Sequence, residues 1–286
     1  MTAATRTLPR RPWRLRAPRH VVSNLLMLFM LVIVAFPFLW MLISSFKAEP
    51  DIVTYPPSFF APSYTLDQYR RVFSAIPLWM YIRNTAIFAF GTTVISVLFD
   101  SMSGYAFARI RFKGRKVLFN LVLLTMMIPF QITMIPLFVQ IFKMGLLNTF
   151  AGLILPRMTS AFGIFMMRSF FVGMPKDLEE AARIDGLNEA GIFFRIMTPL
   201  CKTAMLSLAV FTMMGNWNDL LYPLMLTTTT EMRTLPSGLA MFVGERVTQY
   251  GPSIAGSVIS MLPLLLMYCF AQRYFIAGIA MSGMKE

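Results

Sequence analysis

The feature that most constrains this chain is a series of apolar runs of around 20 residues, separated by short basic loops. Wound as an α-helix, such a run is about as long as the hydrocarbon core of a bilayer is thick. Inside that core every backbone N–H and C=O needs a partner from the chain itself, so an isolated spanning run is helical. Six runs are legible: Val21–Phe46, Asn84–Ala108, Val117–Val139, Phe150–Val172, Thr203–Leu226 and Ser253–Phe275. The expected fold class is therefore all-α integral membrane, with six transmembrane helices embedded in lipid. Only 14% of the residues are charged, against roughly 25% in a soluble domain.

The charge that is present is strongly positive, +13 in net terms. Its Lys and Arg stand at the ends of apolar runs and not on one soluble face, so nucleic acid is excluded as a partner. Residues 1–20 form a basic tail with Arg6, Arg10, Arg11, Arg14, Arg16 and Arg19 and no acid. A basic start before an apolar run resembles a signal peptide. However, Val21–Phe46 is too long for a cleaved apolar region and no small-residue cleavage site follows, so the run reads as a retained anchor. Arg109, Arg111, Lys113, Arg115 and Lys116 crowd the next acid-free loop. Positive charge stays cytoplasmic. That rule puts the tail, the 109–116 loop and a 173–202 loop inside, with both termini cytoplasmic. Residues 21–286 then form a single transmembrane domain.

The 173–202 loop holds the densest acidic run of the chain, Met174 to Gly186. Pro175 can open a helix there. Leu178, Ala181, Ala182 and Asp185 recur at i, i+3, i+4, i+7 and define one face. Glu179 and Arg183 are spaced as an i,i+4 pair on the outer side, and Glu180 offers a further charge. Gly186 suits the left-handed residue that ends a helix. Asn188 is a cap for a second short helix, and Pro199 reads as the start of the next apolar segment. This pattern predicts a helix gripped by another protein, against the alternative of a solvated connector.

Polar groups inside the spans are costly and face a bundle interior or water. Asn216, Trp217, Asn218 and Asp219 in the fifth run, and Asp100 in the second, are accordingly either interhelical partners or linings of a translocation path. Beside Asp100, Ser101, Ser103 and Gly104 allow close approach of another helix. Pro129 and Pro136 predict kinks in the third run. The two cysteines, Cys201 and Cys269, have no metal or disulfide spacing. The single histidine, His20, lies in the tail. No catalytic constellation is present. The phosphate-binding motif Gly-x-x-x-x-Gly-Lys-Ser/Thr is absent as well, so the chain holds no ATP in that manner.

Several motifs occur in a fixed order. Glu180-Ala181-Ala182, Asp185-Gly186, Ile196 and Pro199-Leu200 stand in the loop. Around them stand Tyr105-Ala106-Phe107-Ala108-Arg109, Ile128-Pro129, Ile135-Pro136-Leu137, Trp217-Asn218, Pro223-Leu224, Thr234-Leu235-Pro236 and Gln272-Arg273-Tyr274-Phe275. Together they resemble the permease subunits of binding-protein-dependent carbohydrate ABC importers, and most of all the smaller permease of maltose-type systems. The resemblance implies the type I importer permease fold in the cytoplasmic membrane of a prokaryote. It also implies a second related permease, two ATPase subunits that bind ATP and Mg, and an extracytoplasmic solute-binding protein. The loop helix, with Glu179, Glu180, Ala181, Ala182, Arg183, Asp185 and Gly186, would couple to the ATPase. The sequence Gln249-Tyr250-Gly251 departs from the aspartate-tryptophan pair frequent in the family. A sugar or oligosaccharide is the expected cargo, with glycerol-phosphate or another polyol as the alternative. A secondary transporter is the rival class, and it is disfavoured because no inverted repeat is visible.

Overall fold

The computed structural model describes residues 19–244 and 248–282. The basic tail lies outside them up to Pro18. The regular structure is helical: α1 (Arg19–Ser44), α2 (Glu49–Ile52), α3 (Asp67–Ala75), α4 (Leu78–Arg109), α5 (Arg115–Thr125), α6 (Phe130–Lys143), α7 (Phe150–Ile154), α8 (Ala161–Val172), α9 (Asp177–Ile184), α10 (Glu189–Ile192), α11 (Thr198–Leu200), α12 (Lys202–Trp217), α13 (Leu221–Leu226), α14 (Leu235–Leu239) and α15 (Tyr250–Ser282).

Among the described residues, three stretches are each long and apolar enough to cross a membrane alone: Val21–Ser44, Leu78–Arg109 and Tyr250–Cys269. The other candidates are bent pairs. The angle is 99° between α5 and α6, 44° between Phe150–Arg157 and α8, and 80° between Glu189–Leu200 and α12. Counting each bent pair as one span gives up to six, with the third broken as its prolines predict and with further bends in the fourth and at the start of the fifth that hydropathy does not register. Pro129 makes the first break, because it caps α6 with an extended backbone (φ −60°, ψ 136°) and disfavours helix in the residue before it. Pro136 sits inside α6 without ending it. The fourth run leaves the α-helix through a 3₁₀ turn at Leu155–Arg157 and restarts after Ser160. The fifth stops at Trp217 and resumes as α13. Boundaries also move, most notably at two helix starts: α4 begins at Leu78 and not Asn84, and α15 at Tyr250 and not Ser253.

α4 is the central helix and packs on α8 and α12. A Cβ at Gly104 would lie 2.7 Å from the Met167 Cβ and 2.8 Å from the Arg168 amide nitrogen. That glycine sets how closely α4 and α8 approach, as the small-residue stretch predicts. α1, by contrast, leaves its apolar side chains from Val21 to Leu39 largely exposed, as suits a helix facing lipid or a further chain.

A cluster at one end unites Tyr105, Met167, Phe171, Ala182, Ile192 and Met197. Within hydrocarbon, packing an apolar residue gains little over lipid itself. Residues of the loop have water as their alternative, so burying Ile192 or Phe193 there contributes about 1.5–3 kcal/mol each. At the opposite end Glu49 accepts hydrogen bonds from the amides of Tyr250 (2.7 Å) and Gly251 (3.0 Å) and so caps α15. Gln249-Tyr250-Gly251 fits there because a Cβ at Gly251 would lie 2.3 Å from the Gln68 side chain.

Candidate functional site

The loop after α8 folds as a short helix, a turn and a second helix. α9 begins at Asp177, two residues after Pro175, so the proline precedes the helix and does not open it. Its end is a Schellman turn: Gly186 (φ +83°) donates to Arg183 O at 3.1 Å, and Leu187 donates to Ala182 O at 3.0 Å. Nothing surrounds the missing Cβ of Gly186, so the glycine is there for its backbone angle alone. Asn188 caps α10 by accepting from the Gly191 amide at 2.8 Å. Pro199 has no N–H to give and crowds the carbonyl four residues back; the helix widens to a π-helix over Phe193–Met197 just before it. Pro199 thus lies within the loop helix, and the apolar segment expected from it begins after the 80° bend, at Lys202.

The face of α9 is turned relative to the sequence expectation. Glu179 is buried inward, not outward, and its carboxylate meets the Arg109 guanidinium at 3.0 Å, with both side chains 4% exposed. Arg183 is farther away, at 3.7 Å. Ala182 shares that inner face, while Leu178, Ala181 and Asp185 are exposed. The outward stripe is Asp177, Glu180, Ala181 and Ile184, at i, i+3, i+4, i+7, with Ile184 86% exposed. Arg109 causes the rotation. It ends α4 and also donates to Met174 O at 2.6 Å, so it holds the loop from behind.

A second clamp sits beside it. The Tyr105 hydroxyl donates to Glu189 at 2.9 Å, and Glu189 accepts from Arg183 at 2.9 Å. Burial pushes the Glu179 carboxyl above the ordinary 4.5, against the pull of Arg109 and Arg183. Sequence reasoning missed Arg109, Tyr105 and Glu189 as members of this site. The available signal was the i,i+4 spacing of Tyr105 and Arg109 at the exit of α4.

The intramembrane polar residues fall into two groups. Asp100 is wholly buried. It accepts from Thr159 Oγ1 (2.7 Å), the Ser160 amide (2.8 Å), Ser160 Oγ (2.9 Å) and Ser96 Oγ (2.9 Å). It is thus placed as the acceptor that docks the start of α8 on α4. Trp217 also lies within the packing: it is 4% exposed and donates through Nε1 to Ser260 O of α15 at 3.1 Å. Asn218 is exposed and donates to Met214 O at 3.2 Å.

Asn216 and Asp219 instead meet at Arg157, which ends the 3₁₀ turn in the fourth span. Arg157 lies 2.5 Å from Asp219 and donates to Asn216 Oδ1 at 2.8 Å. Its guanidinium sits 4.1 Å from the Tyr222 ring centroid. A cavity of about 400 Å3 opens beside it, bordered by Ser96, Thr159, Ser160, Phe162, Phe211 and Asn216.

Comparison with known proteins matches this architecture. The permease AraQ of an arabinooligosaccharide transport system in Halalkalibacterium halodurans is 39% identical, over 90% of this chain and 93% of its own length. The diacetylchitobiose uptake permease NgcG of Streptomyces coelicolor is 34% identical, over 92% and 87%. The trehalose/maltose permease MalG of Thermococcus litoralis is 34% identical, over 90% and 94%. A solved bacterial ABC transporter that imports the acidic polysaccharide alginate shares the fold, with a TM-score of 0.77 at 24% identity, over 93% of this chain and all of that one. Residues 100–278 match the family described as binding-protein-dependent transport system inner membrane component, a stretch that contains both the clamped loop and the Arg157 cluster. This chain therefore belongs to that family of inner-membrane permeases, which hold no cofactor of their own and leave ATP to a partner ATPase.

Proposed function

We propose that the chain is one of two related permease subunits of an ATP-driven importer that carries a sugar or oligosaccharide across the cytoplasmic membrane. Two ATPase subunits drive it, and an extracytoplasmic binding protein delivers the cargo. Both termini and the α9 loop face the cytoplasm, and residues 21–286 act as one permease domain. The cargo class is suggested by the relatives, whose names specify arabinooligosaccharides, diacetylchitobiose, and trehalose and maltose.

The observation that carries the coupling reading is the outward stripe of α9. Glu180 and Asp185 are exposed and have no ion pair among the described residues. Ile184 and Leu178 are apolar, exposed and adjacent to them. The helix is about 12 Å long, the size of one docking contact. Its inner residues Glu179 and Ala182, the surface pair of Arg183 with Glu189, and the Gly186 turn hold it in place; its outer residues Glu180, Ala181 and Asp185 are presented to the ATPase. In the membrane, Asn216 and Asp219 border the path, while Asp100 and Trp217 shape it from within the packing.

The test is Glu180→Lys in the assembled importer. The variant is expected to reach the membrane in normal amount and to lose uptake. Either co-purification with the ATPase falls, or the loaded binding protein no longer stimulates hydrolysis. Wild-type uptake and stimulation in this variant would reduce the loop to a connector.

A further inference from the structure

The charges at the span breaks lie on two sides of one short stretch, residues 157–160. Asp100 grips it from α4 through Thr159 and Ser160. Arg157 reaches out of it the other way. Its partners Asn216 and Asp219 stand where α12 gives way, and Tyr222 is the second residue of α13. The Phe130 ring, 5.8 Å from the guanidinium, is the first residue of α6 after the 99° bend. All three interrupted spans thus meet at one guanidinium. Asp219 is itself engaged, since it accepts from the Tyr222 amide at 3.1 Å.

Backbone that leaves the helix at membrane depth is tolerated only where protein or water covers it. A planar guanidinium presents five donors in a fixed fork, so it holds several partners in set directions, whereas a lysine ammonium is a compact charge with three rotatable donors. Arg157 and Pro156 border both the cavity beside Asn216 and a second one of about 340 Å3 beside Phe130 and Tyr222. The side chain therefore stands between the two. At its other end, α12 follows the loop helices directly, across an 80° bend at Cys201. The loop and Arg157 lie at opposite ends of one 16-residue helix, about 24 Å apart along its axis.

We infer that Arg157 is a positioning residue for transport: it fixes the ends of the interrupted spans to one another, so that displacement entering α12 from the loop passes to α6 and α13. This rests on the coupling reading proposed above. The complete importer is reconstituted in vesicles with its binding protein. Complex amount, binding-protein-stimulated ATPase and uptake are measured for wild type, Arg157→Lys, Arg157→Gln, Asp219→Asn and the Arg157→Gln/Asp219→Asn pair.

Uptake per assembled complex is expected to fall at least tenfold in both Arg157→Gln and Arg157→Lys, while stimulated ATPase stays within twofold. Asp219→Asn falls less, and the double variant is no worse than Arg157→Gln alone. The inference is overturned by wild-type uptake per complex in Arg157→Gln, by full rescue in Arg157→Lys, by multiplying losses in the double variant, or by ATPase falling in parallel with uptake. A loss that vanishes on correction for complex amount also overturns it, by leaving the residue a folding role only. A wild-type importer whose ATPase ignores its binding protein would overturn the coupling reading itself, and the two failures are thereby told apart.

Discussion

The loop around α9 and the cluster around Arg157 solve opposite problems. The loop lies where water competes for every polar group and keeps an exposed face with carboxylates that have no ion-pair partner among the described residues. The cluster lies among broken spans, where water is scarce, and leaves few of its polar groups unused. In the loop, surface ion pairs such as Arg183–Glu189 contribute little, under about 1 kcal/mol; the buried Arg109–Glu179 contact and the Gly186 turn fix the shape. In the cluster, a charge facing lipid costs about 3 kcal/mol on insertion scales, so each one is held by several partners. The comparison teaches that surplus polar groups mark the surface offered to a partner, and saturated ones mark internal mechanics.

The largest expected effect is at Asp100. Replacing it by Leu strands Thr159, Ser96 and the Ser160 amide and hydroxyl in a buried site. An unpaired buried donor costs about 1–3 kcal/mol, and four lose their acceptor together. Assembled complex is expected to fall more than tenfold on a detergent gel. Asp100→Asn keeps an acceptor, and the serine hydroxyls can turn to accept from its amide, so the loss there is expected to be smaller. Undiminished assembly and transport in Asp100→Leu would erase the distinction between the two regions.

Next is an asymmetry at the buried pair. Arg109→Met leaves Glu179 without its counter-charge and is expected to cost about 3–5 kcal/mol, seen as a lowered denaturation midpoint of the purified complex. Glu179→Gln is expected to cost less, because burial already disfavours the charged carboxyl there and Arg109 keeps Met174 O. Combining the two recovers part of the Arg109→Met loss. Equal single losses would show that the contact is an ordinary pair with no burial penalty.

Gly186→Ala is smaller again. At φ +83° with open space around the site, the cost is conformational only, about 1–2 kcal/mol. Uptake is expected to fall a few-fold, with Gly186→Asn milder than Ala. An equal effect of Asn and Ala would shift the explanation from backbone angle to contact with the partner.

These regions were also unequally legible in the sequence. Elements set by near neighbours were readable: Gly186 as a helix end, Asn188 as a cap, and Ser101 to Gly104 as a close-packing stretch. The inward turn of Glu179 was not, because Arg109 lies on another helix, and an i,i+4 partner in Arg183 suggested the outer side. The apolar runs gave span positions, but hydropathy does not register a bend. Pro129 signalled one break, whereas the break at Asn218 stands just ahead of Pro223, which has no N–H to give to Asp219 O, and its fixing by Asp219, through the Tyr222 amide and Arg157, came only from the fold. Asp100 and Trp217 were legible as costly polar groups; their partners, Thr159, Ser160 and Ser260, came only from the packing of α4 on α8 and of α12 on α15.

The central claim is that the outward stripe of α9 is covered by the ATPase. It is tested most directly by maleimide labelling of Ile184→Cys in a Cys269→Ser background. The labelling rate is compared between the complete complex and the same complex stripped of its ATPase, with Tyr55→Cys, 95% exposed in the wild-type residue, as the distant control. The account predicts at least tenfold slower labelling at position 184 in the complete complex and no change at 55. Equal rates at 184 with and without the ATPase would contradict it.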